Sequence, residues 1–345
     1  MFYLMPIILT FIISCLLTPI VKRLAEKTKI VDYPGSRKIH QKPIALLGGL
    51  AIFLSFFLAT IIFWYLGYIN DLKIQNQHIA AILLGGFILI LGGFLDDKYN
   101  LKPYQQIIWP ILSILVVLLA GIRIEYITNP FGGVIGLPFY AGIIAAFFWL
   151  MGMIYTTKFL DGLDGLVSGI TAIGALIIFI VSLHWDVPSS GTSILALILA
   201  GSCFGFLIFN WHPAKIFLGE GGSVFCGFML GILAIISGSK IATALLILGI
   251  PILDVIWVIA SRVIKGQSPL KGDKRHLHFR LLDIGLSHRQ TVVFLYSATV
   301  AFGISSLFLH SKGKIIALII LALVMLLLIF SLLIIYKFKK NEEKL

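Results

Sequence analysis

Long apolar runs, repeated along the chain and separated by short charged stretches, constrain this sequence more than any other feature. About 20 apolar residues suffice to cross a bilayer as a helix. Eleven stretches meet that description: 3–21, 46–66, 78–95, 105–121, 139–157, 165–184, 191–210, 221–237, 241–261, 290–309 and 314–336. The ninth holds Pro251 and Asp254 and is expected to be kinked or broken, since Pro removes a backbone donor and crowds the preceding turn. Of 345 residues, 12% are charged and 59% hydrophobic, against about 25% charged in a soluble domain. The expected fold is therefore an all-α polytopic membrane protein. It is one domain over 1–345, ending in a short tail at 337–345, because neither a fixed-period repeat nor a long linker divides it. Cys15, Cys203 and Cys226 lie in apolar runs without metal-ligand spacing and read as core residues. The first run has no basic leader before it and Lys22 and Arg23 after it, so it is expected to be a membrane anchor, not a cleaved signal.

The net charge of +12 would suit a nucleic-acid binder, but the spans exclude a soluble one and the charges follow membrane topology instead. Counting loops by side, 22 of the 27 Lys and Arg fall on one face, chiefly in 22–42 and 262–289. An excess of Lys and Arg marks the cytoplasm, which puts the N-terminus outside and the C-terminus inside. Asp96, Asp97, Asp161, Asp164, Glu220 and Asp273 gather on that same face, with His40, His212, His276, His278 and His288. On the other face, alternation over Ile122–Ile127 and a turn at Asn129–Gly133 predict a short external β-hairpin near 122–137.

The chemistry centres on Phe159-Leu160-Asp161-Gly162-Leu163-Asp164-Gly165-Leu166. A charged group at the centre of a membrane helix costs about 2.5–3.5 kcal/mol on insertion scales, so two aspartates between uncharged runs need a reason. If the segment is helical, the i, i+3 spacing puts both on one face; alternatively Asp164 caps the sixth span. Gly92-Gly93-Phe94-Leu95-Asp96-Asp97-Lys98 ends the third span in adjacent carboxylates, which suit Mg²⁺ or proton transfer unless they are a solvated helix end. Asn210 to Ser223 carries Lys215 and the glycines at the start of span eight, where free N–H groups favour an anion, or is simply a Gly- and Pro-built turn. Gly272 to Arg280 sets His276 and His278 among Lys274, Arg275 and Arg280, a set suited to a multiply charged phosphate. Arg37 to Pro43, with Lys42, is a weaker version. Asp254 within span nine is either functional or paired with a neighbouring helix.

Together these pieces resemble the polyprenyl-phosphate N-acetylhexosamine-1-phosphate transferase family, relatives of the phospho-MurNAc-pentapeptide translocase. The resemblance runs from about Asp32 to Tyr296. It rests on Arg37-Lys38-Ile39-His40, Gly48-Gly49, Asp96-Asp97, the Phe159–Leu166 segment, Asn210 with Pro213-Ala214-Lys215, and His276-Leu277-His278 leading into Arg280. It implies transfer of a sugar-1-phosphate, most often N-acetylglucosamine-1-phosphate, from a UDP-sugar to a polyprenyl phosphate, with release of UMP. It further implies a plasma-membrane enzyme with its site in the cytoplasm, Mg²⁺ (or Mn²⁺) as cofactor, a homodimer, and a place in cell-wall or lipopolysaccharide synthesis. Asp96, Asp97, Asp161 and Asp164 are the expected catalytic residues, and Asp161 with Glu220 the expected metal ligands. Lys42, Lys158, Asn210, Lys215, His276, His278 and Arg280 are expected to bind substrate. Three positions depart from the family pattern: Lys158 stands where Asn is usual, Glu220 where Asp is usual, and Phe279 where His is common. Lys158 and Glu220 then either pair, taking over part of the metal's charge work, or Glu220 reaches the metal with its longer arm. The rival reading is an ion-coupled transporter, but transporters place their acids near the midplane in paired broken helices.

Overall fold

The computed structural model describes residues 3–34, 42–71, 74–129, 133–185, 190–238, 240–264, 266 and 276–342. Helix α1 (Leu4–Lys27) shows how the sequence meets lipid. Its buried positions are Pro6, Thr10, Ser14, Thr18, Val21 and Ala25. Leu4, Ile8, Ile12, Leu16, Ile20 and Leu24, each four residues on from the last, are exposed. Side chains four apart lie on one face of a helix, so the large apolar groups face out and the small ones in. That arrangement suits hydrocarbon, where hiding a leucine gains nothing and close packing of small residues holds helices together. The inward hydroxyls bond to carbonyls, Ser14 Oγ donating to Ser202 O at 2.7 Å.

In chain order, α1 is followed by β1 (Val31–Asp32), β2 (Ile44–Ala45), α2 (Gly48–Tyr65), α3 (Asn76–Tyr99), α4 (Pro103–Gln106), α5 (Ile108–Leu119), β3 (Tyr126–Thr128) and β4 (Val134–Gly136). Then come α6 (Phe139–Leu160), α7 (Leu166–Trp185), α8 (Gly191–Asn210), α9 (Gly219–Ile236), α10 (Ile241–Ile247), α11 (Gly249–Ile264), α12 (Leu277–Asp283), α13 (His288–Phe308) and α14 (Ser311–Glu342). Among the described residues, nine helices are long and apolar enough to cross a membrane, and α10 with α11, bent by 78°, makes a tenth if the pair is one span. The bend sits at Leu248, with Pro251 in the first turn of α11, where a missing N–H is tolerated. The expected span 105–121 is the shorter apolar stretch Pro103–Leu119, roughly 25 Å long at 1.5 Å per residue. Its first turn, α4, is polar and turns toward the acids of α3. β3 pairs antiparallel with β4, Tyr126 opposite Gly136, and Leu137 N donates to Glu125 O at 2.8 Å, so the cross-strand bonding reaches back to Glu125 and leaves Ile122 to Ile124 outside it.

Helix α9 is the centre of the bundle, buried from Gly221 to Ile236. Its neighbours come close because glycines meet glycines. A Cβ on Gly49 of α2 would lie 2.2 Å from Gly222 Cα, and one on Gly93 of α3 would lie 2.1 Å from Gly221 Cα. A Cβ on Gly227 would lie 2.3 Å from Met153 O of α6. The start of α9 is pinned as well. The segment before α2 runs beside it, with Phe217 N donating to Ala45 O at 2.8 Å and Gly49 N donating to Leu218 O at 2.7 Å. The second bond occupies an N–H group that the start of α2 leaves without an intrahelical partner.

Candidate active site

The glycine contacts bring the end of α3 and the start of α9 together, and a polar network forms there. Glu220 N donates to Asp97 Oδ1 at 3.1 Å, so the α9 terminus is already satisfied by a carboxylate. Gly219 has φ +75°, and a Cβ on it would lie 2.6 Å from Asp97 Oδ2; glycine is needed there on both counts. The Glu220 side chain reaches the other way, its Oε1 lying 2.5 Å from Lys158 Nζ at the end of α6. Lys158 Nζ also donates to Gln106 Oε1 at 2.9 Å. Gln106 Nε2 donates to Asp96 Oδ1 at 2.9 Å and to Leu101 O at 3.0 Å. Asp96, Gln106, Lys158, Glu220 and Asp97 thus form one connected chain. Lys158 and Glu220 are mostly buried, their side chains 18% and 21% exposed.

Asp161 and Asp164 do not share a helix face. Residues 161–165 form a tight turn between α6 and α7, with Gly165 at φ +79°, and the two carboxylates separate. Asp161 is exposed in the cleft. The protein packed around its carboxyl, and then the negative charges of Glu220, Asp97 and Asp164, push its pKa up, although water still reaches the side chain. Asp164 turns to the segment after α8: His212 Nδ1 lies 2.6 Å from its Oδ2, and Ala214 N donates to the same oxygen at 3.1 Å. The ring of His288 stacks on His212 at 4.0 Å, and Arg289 Nη2 donates to His212 O at 2.9 Å. Asn210 braces the turn, accepting from Gly165 N and Ser168 Oγ, each at 3.0 Å, and donating to Ile216 O at 3.0 Å. Tyr296 OH donates to Gly165 O from α13.

The α12 loop closes over this turn. A Cβ on Gly162 would lie 2.3 Å from His278 Nε2. His278 is buried with that nitrogen unpartnered. Burial, and then the neighbouring His276 and His288, push its pKa down to about 3. It is therefore a neutral imidazole at physiological pH, which cannot pair with the charge of a phosphate. His276 is held by Asp254 of α11, with Nδ1 to Oδ2 at 2.8 Å, and Leu277 N donates to Asp254 Oδ1 at 2.9 Å. Asp254 is thus paired.

The structure gathers Asp96, Asp97, Lys158, Asp161, Asp164, Asn210, Glu220, His276 and His278 around one cleft. Lys42 and Lys215 are exposed and Arg280 half-buried. Arg37 to Gln41 and Gly272 to Arg275, with Asp273, lie outside the described residues. Gln106, His212, His288 and Tyr296 were not singled out as site residues from the sequence. His212 and His288 had a signal, both standing among the histidines of the Lys- and Arg-rich face.

A divalent cation at Asp161 and Glu220 would need converging oxygens. One Glu220 oxygen is taken by Lys158, and Asp96 and Asp97 accept N–H groups. Among the described residues the one group of three acids and histidines with ligand atoms within 4.8 Å of one another is Asp164, His212 and His288. The residues at Glu220 therefore do not form a ready cation site, and the cation they hold in place is the Lys158 ammonium.

Residues 79–238 match the family described as Glycosyl transferase family 4. A Bacillus subtilis (strain 168) protein named "Probable undecaprenyl-phosphate N-acetylglucosaminyl 1-phosphate transferase" is 34% identical over 322 residues, covering 88% of this chain and 85% of that protein. The decaprenyl-phosphate N-acetylglucosaminephosphotransferase of Mycolicibacterium smegmatis (strain ATCC 700084 / mc(2)155) is 31% identical, covering 88% and 81%. Its counterpart in Mycobacterium tuberculosis (strain ATCC 25618 / H37Rv) is 32% identical, covering 86% and 80%. The likeness extends beyond the motifs to nearly the whole bundle that carries them, and the chain belongs to the glycosyl transferase 4 family of polyprenyl-phosphate N-acetylhexosamine-1-phosphate transferases: it is a membrane-embedded transferase.

Proposed function

We propose that the chain transfers N-acetylglucosamine-1-phosphate from UDP-N-acetylglucosamine to a polyprenyl phosphate and releases UMP, at the cytoplasmic face of the plasma membrane, as the first membrane step of a cell-envelope glycan. The observation that carries this reading is an apolar crevice of about 180 Å³ between α2, α3 and α9. Leu50, Phe53, Phe87, Ile90 and Phe94 line it, and it ends at Asp97. An isoprenoid tail needs hydrocarbon and its phosphate needs a polar end, and this crevice offers both where the acidic network begins. The site residues also come from the helix ends that carry the Lys and Arg excess, which supports a cytoplasmic site.

In the reaction, an oxygen of the lipid phosphate attacks the sugar-bearing phosphorus of the UDP-sugar. The bond from that phosphorus to the bridging oxygen breaks, and UMP leaves with that oxygen. Such a step is governed by positioning and by neutralisation of oxygen charge. Asp97, at the crevice mouth, orients the lipid phosphate and takes its proton. Asp161 stands open to the cleft beside it. Lys42, Lys215 and Arg280 at the rim draw in the diphosphate, and Asp164, held by His212, orients the nucleotide.

A panel of UDP-sugars with undecaprenyl phosphate, scored for UMP in detergent, tests the reading. UMP should appear with UDP-N-acetylglucosamine and only when the lipid phosphate is present. Asp97→Asn and Asp161→Asn in folded protein should lose about 10²-fold or more, the usual size of a proton-transfer contribution. An absence of UMP with every donor would defeat the proposal, and since no gradient exists in detergent it would return the transporter reading to the field.

A further inference from the structure

Lys158 is placed as few surface lysines are. Its ammonium is gripped by Glu220 Oε1 at 2.5 Å and Gln106 Oε1 at 2.9 Å, and it lies 5.7 Å from the centre of the Tyr155 ring. The orientation of Gln106 is not free either. Its Nε2 is committed to Asp96 Oδ1 and Leu101 O, so its carbonyl is the group left to face Lys158. Asp96 in turn accepts from Leu101 N at 2.8 Å. Each bond fixes the next, and the result is a socket that holds one ammonium between Glu220 and Gln106, with Asp96 one link further along. A divalent ion entering this socket would have to displace Lys158 from Glu220 or sit beside its positive charge.

We propose that Lys158 is the resident cation of this site, supplying from the polypeptide the positive charge that transfer of a phosphorylated sugar requires, so that turnover does not depend on a divalent ion at Glu220. An ammonium is a compact point charge with three donors. With two of them held by Glu220 and Gln106, the third is left for an oxygen of the donor diphosphate. The proposal rests on the transferase reading above and is tested so that the two can fail separately.

The experiment uses the full chain in detergent with UDP-N-acetylglucosamine and undecaprenyl phosphate, with either excess EDTA or Mg²⁺, and a calorimetric titration with Mg²⁺ alone. Wild type should keep at least about half of its turnover in EDTA. Lys158→Asn should lose about 10²-fold in EDTA and recover much of it with Mg²⁺. Lys158→Met, which preserves the packing of the stem, is the second variant should the first fold poorly, and it should show the same loss in EDTA. In the titration, removing the ammonium should tighten Mg²⁺ binding about thirtyfold, the repulsion between a unit charge and a divalent ion about 4 Å apart in water. Mg²⁺ prefers oxygen ligands, which keeps the separate Asp164, His212 and His288 group out of the reading. Wild-type turnover that collapses in EDTA and returns with Mg²⁺ overturns the proposal, as does full turnover of either variant in EDTA. If no condition yields UMP, the transferase reading fails and the titration still decides for Lys158. Tighter Mg²⁺ binding in the variants sustains its role as resident cation, and equal binding in all three proteins ends it.

Discussion

Replacing Gly93 by alanine tests whether the packing of the bundle and the geometry of the site are one thing. A Cβ there would lie 2.1 Å from both Cα and N of Gly221. These are backbone atoms in the most buried helix, so no flexible side chain can move aside. Carbon atoms rest about 3.5–4.0 Å apart, and α3 and α9 must therefore part by roughly 1.5 Å. The cost of such overpacking is about 1–3 kcal/mol. Asp97 lies one turn beyond Gly93, and Glu220 is the residue before Gly221. The bond from Glu220 N to Asp97 Oδ1, now 3.1 Å, would stretch past the range of a hydrogen bond. Misplacing a reacting group by about 1 Å costs on the order of 10²-fold in rate. Thermal unfolding in detergent and UMP release measured on the same preparation should therefore show a lowered midpoint and a turnover reduced about 10²-fold. Gly152→Ala is the matched control. Its Cβ would meet nothing within 4 Å, and alanine improves on glycine in a helix by about 0.5–1 kcal/mol, so stability should hold or rise and turnover stay unchanged. A Gly93→Ala protein as stable and as active as wild type would refute the coupling.

Two further outcomes follow from the α12 loop. Burial pushes the pKa of His278 down to about 3, while an unfolded chain takes up that proton near its ordinary value of about 6.5. Between those values the unfolded state binds the extra proton, so this contribution to stability is whole above about pH 6.5 and is lost as pH falls, by about 1.4 kcal/mol per unit. Midpoints measured from pH 7.5 down to 5 should fall more steeply in wild type than in His278→Asn, and equal slopes would contradict the assignment. Asp254→Ala strips partners from both His276 Nδ1 and Leu277 N, in a pair almost closed to solvent. It should destabilise by about 3 kcal/mol, and Asp254→Asn, which keeps an acceptor, by less; comparable losses would show that the hydrogen bonds are not what matters.

Most of the bundle was legible because a membrane span is a local property of about 20 consecutive residues. The stretch 105–121 shows the limit of that reading. Its hydropathy is that of a span, but at its start Gln106 is drawn to Asp96 and Gln105 accepts from Lys102 N, and the helix breaks at Ile107 into α4 and α5. The same limit separates Asp161 from Asp164. Spacing of three would align them in a helix, but Gly162 and Gly165 allow a turn that sends one carboxylate into the cleft and the other to His212. Gln106 carries no signal at all in the sequence, because an amide becomes informative only when its partners, here Asp96 and Lys158, are known. His288 lies 76 residues from His212, and only the fold stacks them. Lys158 and Glu220 were different: both depart from the pattern of the family that the sequence resembles, and of the two alternatives which that departure left open, the structure adopts the one in which they pair.

The position of that pair follows from how the bundle is built. α9 is buried along nearly its whole length, so its interior admits no charge without a partner, and Glu220 stands in the first turn where the helix meets the cleft. Gly219, Gly221 and Gly222 let α2 and α3 close on that turn, which brings Asp97 to the free N–H of Glu220 and leaves the carboxylate pointing at the end of α6. A shorter acid at position 220 would keep the backbone bond to Asp97 but draw back from Lys158 by one carbon–carbon bond, loosening the grip on the ammonium. Glu220→Asp should therefore preserve the fold while weakening the hold on Lys158, and the clearest sign would be an increased response of turnover to added Mg²⁺. If Glu220→Asp instead behaves as wild type in EDTA and in Mg²⁺, the length of this side chain is not what fixes the lysine, and the role assigned to the Lys158–Glu220 contact loses its physical basis.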